Sequence, residues 1–460
     1  MTPSPIKHVV VLLEENHTFD NVFGKFCAEI ASHQIVRPGY GSGCDGATVG
    51  METAGQVVPL SPAPDIPPGI DHDTAGQTAD IDGGKMDGFG TLAPCSTSLP
   101  KCYNQYDPLS GPCAAGSCIP NLSALAAKYA ISDHTFELRA SPSWGGHMYI
   151  VTASLDGFLG DNPSTQPTGH PPAAIGGGWG CDSGRLEQWS NGTTTTLVPS
   201  CVPDASGSLG PNWSGYTGPM AAHVPTIFDE LDGAGLSWRI YGGAGAPDPN
   251  STLGFQDSGW QWAICPTFAR CLYSTQRNDL VPATAVLSDA SAGTLPAFSV
   301  ITPTTANSQH NGFSMSGGDN YIGQVVSAIQ RSAEWSSTAI FITYDDCGCF
   351  YDHVNPLAYN AQWGIRLPMV IVSPYAKEGY TDRNPTSVAA ILAFTERTFG
   401  LSPLGAADRS SYAYRDAFCF DPSSGCTPAG TAPVPMRSQH VAPMTSSQLA
   451  AARAEAKQDT

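Results

Sequence analysis

Apolar residues fall in short continuous runs with sharp polar breaks. The runs are "HVVVLL" (8–13), "YAISDH" (129–134), "MYIVTAS" (148–154), "SWRIYGG" (237–243), "FSVITPT" (298–304), "TAIFITYDD" (338–346) and "LPMVIVSPY" (367–375). They are short and rich in β-branched and aromatic residues, which predicts strands buried on both faces. Helical spacing of apolar positions appears between several of them. It is clearest in "VPTIFDELDGAGL" before the run at 237, "NYIGQVVSAIQRS" before the run at 338 and "SVAAILAFTERTFGL" after the last run. Strands alternating with amphipathic helices predict an α/β fold with a mostly parallel central sheet and helices on both faces.

Segments 27–120 and 155–220 follow neither period and are rich in Gly, Pro and Cys, so they read as long loop insertions rather than domains. The chain has no internal repeat. The tail carries "TPAGTAPVP" and then "SSQLAAARAEAKQDT". The expectation is one catalytic domain over 1–401 and a peripheral C-terminal extension over 402–460, ending in a short exposed helix.

Composition narrows the setting. Of 460 residues, 41% are hydrophobic and only 13% charged, with 49 Gly and 39 Pro, which suits a large core wrapped in ordered loops. A net charge of −19 argues against a nucleic-acid partner and leaves no basic patch for anionic membranes. No apolar run approaches the ~20 residues of a transmembrane helix. The 14 cysteines form no CxxC knuckle and lie mostly in loop sequence, so they read as disulfides from an oxidising compartment. Sequons at Asn121, Asn191, Asn212 and Asn250 fit the same setting. The opening "MTPSPIKHVV" has no leader-like apolar region, so the expectation is a secreted or periplasmic protein whose signal peptide is absent from this chain. Oligomeric state leaves no mark in the sequence.

Candidate chemistry collects behind the strands. In an open α/β sheet, ligands bind beyond the carboxyl ends of the strands. There the chain places Glu15, Asn16 and His17, then "TFELRASPSWGGHMY" with Ser141 and Ser143, then Asn307, Gln309 and His310, and finally Asp345, Asp346, Asp352 and His353. Taken alone, "EEN" is a helix cap, "DD" a turn and a single histidine a surface or core residue. Recurrence at successive strand ends changes that reading. Glu15, Asn16, Asp345 and Asp346 form an all-oxygen set suited to a hard cation such as Ca²⁺ or Mg²⁺. A serine hydroxyl at such a cation becomes a nucleophile, and a nearby histidine can protonate a leaving oxygen.

Four ordered blocks resemble one family. They are "ENHTFDNVFG" (15–24), "DHDTAGQTADIDGGKMDGF" (71–89), "YDDCGCFYDHVNP" (344–356) and "GIRLPMVIVSPY" (364–375). The sequence is thereby similar to the phosphoesterase superfamily of bacterial and plant non-specific phospholipases C and their acid phosphatase relatives. The resemblance runs from about residue 7 to 401. It implies an alkaline-phosphatase-like fold and a phosphoester hydrolase acting on a small-molecule or phospholipid phosphate ester through a phosphoserine intermediate. It implies one divalent cation, with Ca²⁺ favoured and Mg²⁺ or Zn²⁺ as alternatives, held by Glu15, Asn16, Ser143, Asp345 and Asp346. Ser143 would be the nucleophile, His72 and His353 active-site histidines, and His310 a further catalytic or substrate-binding histidine.

Three departures stand out. Asp346 replaces the family's Glu, Cys347 and Cys349 break its Gly-Gly pair, and Gly145-Gly146-His147 replaces Pro-Asn-Arg. His147 is read as taking over a phosphate contact, and a Cys347–Cys349 disulfide as stiffening its loop. Many family phospholipases carry extra C-terminal β-domains, for which the residues after 400 leave no room. That leans toward a phosphatase-like or general phosphodiesterase enzyme, whereas the scarcity of cationic side chains leans away from a phosphomonoesterase. The alternative reading is a secreted ligand-binding relative without turnover.

Overall fold

The β-branched run Val9–Leu13 becomes the centre of the sheet. In the computed structural model, which describes residues 4–38, 43–163, 178–243 and 259–458, strand β1 spans His8–Glu14 and its apolar residues have no exposed surface. In chain order the other sheet strands are β2 (Ala130–Phe136), β3 (Trp238–Tyr241), β4 (Leu280–Val281), β5 (Phe298–Ile301), β6 (Thr338–Tyr344), β7 (Arg366–Val372), β8 (Thr381–Asp382) and β9 (Thr386–Ser387). Their order across the sheet is β4-β3-β5-β1-β6-β7-β2-β8, with β9 also pairing β2. All pairings are parallel except those of β7, which runs antiparallel to β6 and β2. The mostly parallel sheet is as the apolar runs predicted.

Helices cover it in two groups. Met315–Arg331 (α5) packs on Pro120–Lys128 (α2), while Ser143–Thr152 (α3) packs on Ile227–Ala234 (α4) and Ala389–Phe399 (α6). The sixth helix introduced here, α1 (Thr74–Ile81), is capped by Asp73 and lies in the first insertion. Helix α5 shows why such segments fold: Ser314 caps it, and Tyr321, Ile322, Val325, Val326 and Ile329 bury one face.

One predicted strand is a helix. Residues 148–154 carry an apolar, β-branched run, yet 148–152 continue α3, all ten residues of which are buried. A helix buried all round shows no amphipathic period, so its sequence mimics a buried strand. The change places Ser143 at the first position of a helix. The tail behaves in two ways: Tyr414, Ala417 and Phe418 join the main core, while Ser446–Gln458 is the helix expected near the end.

Twelve cysteines pair as 27–44, 95–102, 113–118, 181–201, 265–271 and 419–426, each closing a local loop. Cys347 and Cys349 are instead buried thiols, their sulfurs 2.8 Å apart, so the disulfide expected in that loop is not formed. Among the sequons, Asn121 is fully buried, its amide donating to the carbonyls of Asp319 and Arg437, and Asn250 lies outside the described residues. No helix among the described residues is long and apolar enough to cross a membrane.

Candidate active site

Parallel strands β1 and β6 end side by side, and the residues after them meet the first turn of α3. Adjacent residues at the end of a strand face opposite sides of the sheet, and Glu14 and Glu15 are separated in this way. Glu14 is buried toward Asp319 on α5, whereas Glu15 turns to α3, where its Oε1 lies 2.8 Å from His147 Nε2. Asn16 adopts φ +66° and its backbone N–H donates to Asp345 Oδ1 at 2.9 Å. Its side-chain amide donates to His72 Nε2 at 2.9 Å and to Asp346 Oδ1 at 3.2 Å. The Ser143 hydroxyl donates to Asp346 Oδ2 at 3.3 Å. Glu15, Asn16, Ser143, Asp345, Asp346, His72 and His147 thus form one buried cluster.

Two glycines make this approach possible. A Cβ on Gly146 would lie 2.5 Å from the Asp345 carbonyl oxygen, so α3 rests directly on the backbone that follows β6. A Cβ on Gly348, at φ +49°, would lie 2.2 Å from the Asn16 carbonyl oxygen. In that turn the Gly348 N–H donates to Asp346 Oδ1 at 2.7 Å and fixes the carboxylate.

The electrostatics call for a cation. Burial raises the pKa of Glu15 well above the usual range, Asp345 and Asp346 raise it further, and Ser143 works the other way. Neither Glu15 nor Asp345 has a Lys or Arg partner among the described residues. Glu15 Oε2, Asn16 Oδ1 and Asp345 Oδ2 are buried without a hydrogen-bond partner. Buried carboxylates are retained when paired or bound to metal, and oxygen donors of this kind suit a divalent ion. The cluster therefore fits the cation that the sequence implied, and ligand atoms of Glu15, Asp345 and His147 lie within 4.8 Å of one another.

The histidines divide. The ring of His72 is oriented by its Nδ1–H, which donates to the Ile70 carbonyl at 2.6 Å, and its Nε2 faces the cluster. His147, expected at the phosphate, sits instead between Glu15 and Asp345, and burial pushes its pKa down to about 4 despite Asp345. His310 packs at a tilt against Trp262, whose backbone faces His147. His353 is placed elsewhere: Nδ1 lies 2.6 Å from Asp20 and Nε2 3.1 Å from Asp45. Both ring nitrogens are held by carboxylates, because the fully buried Arg366 gathers Asp20, Asp352 and His353 into a separate network.

Glu137, just past β2, was not singled out in the sequence. It is buried, and its charged form is opposed first by burial and then by Asp346 and Asp345, while the backbones of Cys347 and Ser141 favour it. An acid directly after an apolar strand was the available signal, as it was for Glu15.

A model described as the Phosphoesterase family matches residues 6–402. The non-hemolytic phospholipase C of Burkholderia pseudomallei is 26% identical over 315 residues, covering 48% of this chain and 44% of that protein. Non-specific phospholipase C4 of Arabidopsis thaliana is 28% identical over 184 residues, covering 35% and 31%. The chain thus spans less than half the length of these relatives. Among solved structures, a protein in the alkaline phosphatase superfamily from Vibrio parahaemolyticus aligns with TM-score 0.38 and 12% identity, over 90% of this chain and 73% of that one.

Proposed function

From the premise that this chain belongs to the phosphoesterase family, we propose that it is a cation-dependent hydrolase of phosphodiesters of the phospholipid type, working through a phosphoserine on Ser143. One observation carries the reading: the helix that begins at Ser143 delivers its hydroxyl to Asp346 beside three further buried oxygen donors. A cation held by Glu15, Asn16, Asp345, Asp346 and the serine oxygen would acidify that hydroxyl and offset charge on the phosphoryl group.

The chain's own residues do the rest. Ser143 Oγ passes its proton to Asp346 Oδ2, the acceptor of its hydrogen bond, and bonds to phosphorus, while the bond from phosphorus to the departing alcohol oxygen breaks; Asp346 returns that proton to the serine when the phosphoserine is hydrolysed. The positive end of the α3 dipole opposes charge on the phosphoryl oxygens, while the Trp144 and Gly146 N–H groups are held by Asn162 Oδ1 and the Pro142 carbonyl. His72 Nε2, which accepts from the Asn16 amide when neutral, takes up a proton as that contact opens and gives it to the leaving oxygen. In its neutral form it then takes a proton from the water that hydrolyses the phosphoserine. Asn16, hydrogen-bonded to His72, holds the imidazole beside the carboxylates.

A phosphodiester carries one negative charge where a monoester carries two, which matches a site in which Glu15 and Asp345 have no Lys or Arg partner among the described residues. The relatives named phospholipase C support the same choice. The six disulfides support an oxidising compartment for the protein. The test compares p-nitrophenylphosphorylcholine with p-nitrophenyl phosphate, with and without a chelator. The diester should turn over faster, the chelator should stop it, and Ser143→Ala should lower the rate by at least about 10³-fold with the melting temperature kept. Near-wild-type turnover in Ser143→Ala refutes the serine assignment. Absence of turnover in the wild type with every ester and added cation leaves a ligand-binding relative.

A further inference from the structure

His147, at a position where the chain departs from the family pattern, lies against two of the carboxylates. His147 and Ser143 are four apart on α3, so they share a face of the helix and point into the same cluster. The bare backbone of Gly146 lets that helix sit against the Asp345 carbonyl. His147 Nε2 ends 2.8 Å from Glu15 Oε1 and 3.7 Å from Asp345 Oδ2. Donors bound at about 2.1 Å to one ion lie about 3.0–3.6 Å apart for angles between square and trigonal, so the two distances bracket those of shared ligands. On the other side of the ring, Nδ1 is buried with no hydrogen-bond partner, and the Trp262 backbone is the polar group that favours the ring's charged form. A backbone partner at one nitrogen orients a metal-bound imidazole and leaves the other nitrogen's lone pair for the ion.

We infer that His147 is itself a ligand of the cation, and that its nitrogen makes the site select a first-row transition ion such as Zn²⁺ over Ca²⁺. The inference rests on the cation-dependent reading above and specifies which ion serves it. Carboxylate and amide oxygens alone suit hard ions, whereas an added imidazole shifts preference toward zinc and its neighbours.

The test uses the whole chain stripped of metal and titrated calorimetrically with Zn²⁺ and with Ca²⁺, for wild type and His147→Gln. The wild type should bind Zn²⁺ at least 100-fold more tightly than Ca²⁺. In His147→Gln that advantage should fall at least tenfold, with Ca²⁺ affinity changed less than threefold. A zinc-edge anomalous map of wild-type crystals needs no variant and should place Zn²⁺ at about 2.0–2.1 Å from His147 Nε2. An unchanged zinc advantage in His147→Gln, or a zinc ion more than about 3 Å from Nε2, overturns the inference. The two readings fail separately. A protein that binds Zn²⁺ through His147 yet hydrolyses no ester refutes the proposed function alone. One that hydrolyses esters with an ion clear of His147 refutes this inference alone.

Discussion

Gly146→Ala tests whether the contact between α3 and the end of β6 sets catalytic geometry. The added Cβ would start 2.5 Å from the Asp345 carbonyl oxygen and 2.9 Å from its carbon, where ordinary contact begins at 3.4 Å. The obstacle is backbone, so it cannot rotate away, and helix and strand end must separate by about 0.9 Å, the shortfall from ordinary contact. Overpacking of this kind destabilises by about 1–3 kcal/mol. The catalytic cost is larger in proportion, because Ser143 and His147 ride on the displaced helix. A misplacement of about 1 Å costs about 10²-fold in rate, or about 2.7 kcal/mol of transition-state stabilisation. The assay is kcat/KM on p-nitrophenylphosphorylcholine beside a thermal melt. Gly233→Ala is the control: it lies in α4 with nothing within 4 Å of its added Cβ, so it should gain about 0.4–1 kcal/mol and leave activity alone. Full kcat/KM in Gly146→Ala would refute the claim that this contact positions the site.

Glu14→Gln and Glu15→Gln should part company. Burial and Asp319 raise the pKa of Glu14 well above the usual range, so its amide should preserve activity and remove the loss of stability that sets in as pH rises above the ordinary carboxylate range, read as melting temperature against pH. Glu15→Gln should lower turnover and metal affinity together. Arg366→Met leaves Asp20 and Asp352 buried without their cation and should cost about 3–5 kcal/mol by denaturant unfolding. Burial works against the charge on His353, but Asp20 and Asp45 outweigh it and push its pKa up to about 10. Its contribution is therefore complete below about 6.5 and lost as pH rises through about 10. His353→Gln should flatten that alkaline decline in melting temperature, and an unchanged decline would count against the network.

Much of this was legible from apolar runs because buried parallel strands have few other ways to be written. Strands β1, β3, β5, β6 and β7 lie where their runs do, and Glu15, Asn16, Asp345 and Asp346 meet because β1 and β6 are paired neighbours. The pairing itself was invisible, since the two strands are more than three hundred residues apart. Helix α3 was hidden because total burial removes the contrast that reveals a helix. His353 was misplaced because a histidine after an acid carries no sign of its partner, and Arg366, which organises it, belongs to another strand. His147 looked like a substitute for arginine, and only the close approach at Gly146 shows it to be surrounded by carboxylates.

The disulfides never join residues more than 20 positions apart. Covalent reinforcement is therefore confined to local loops, and the frame of strands beneath Ser143 is held by its hydrogen-bonded ladders and by packing. A reductant should act on this molecule as weathering acts on a façade, loosening insertions one at a time while the wall behind them stands. The two thiols beside Asp346 are the exception, cysteines built into the wall, where the chain keeps sulfur in its unlinked form within three positions of the chemistry.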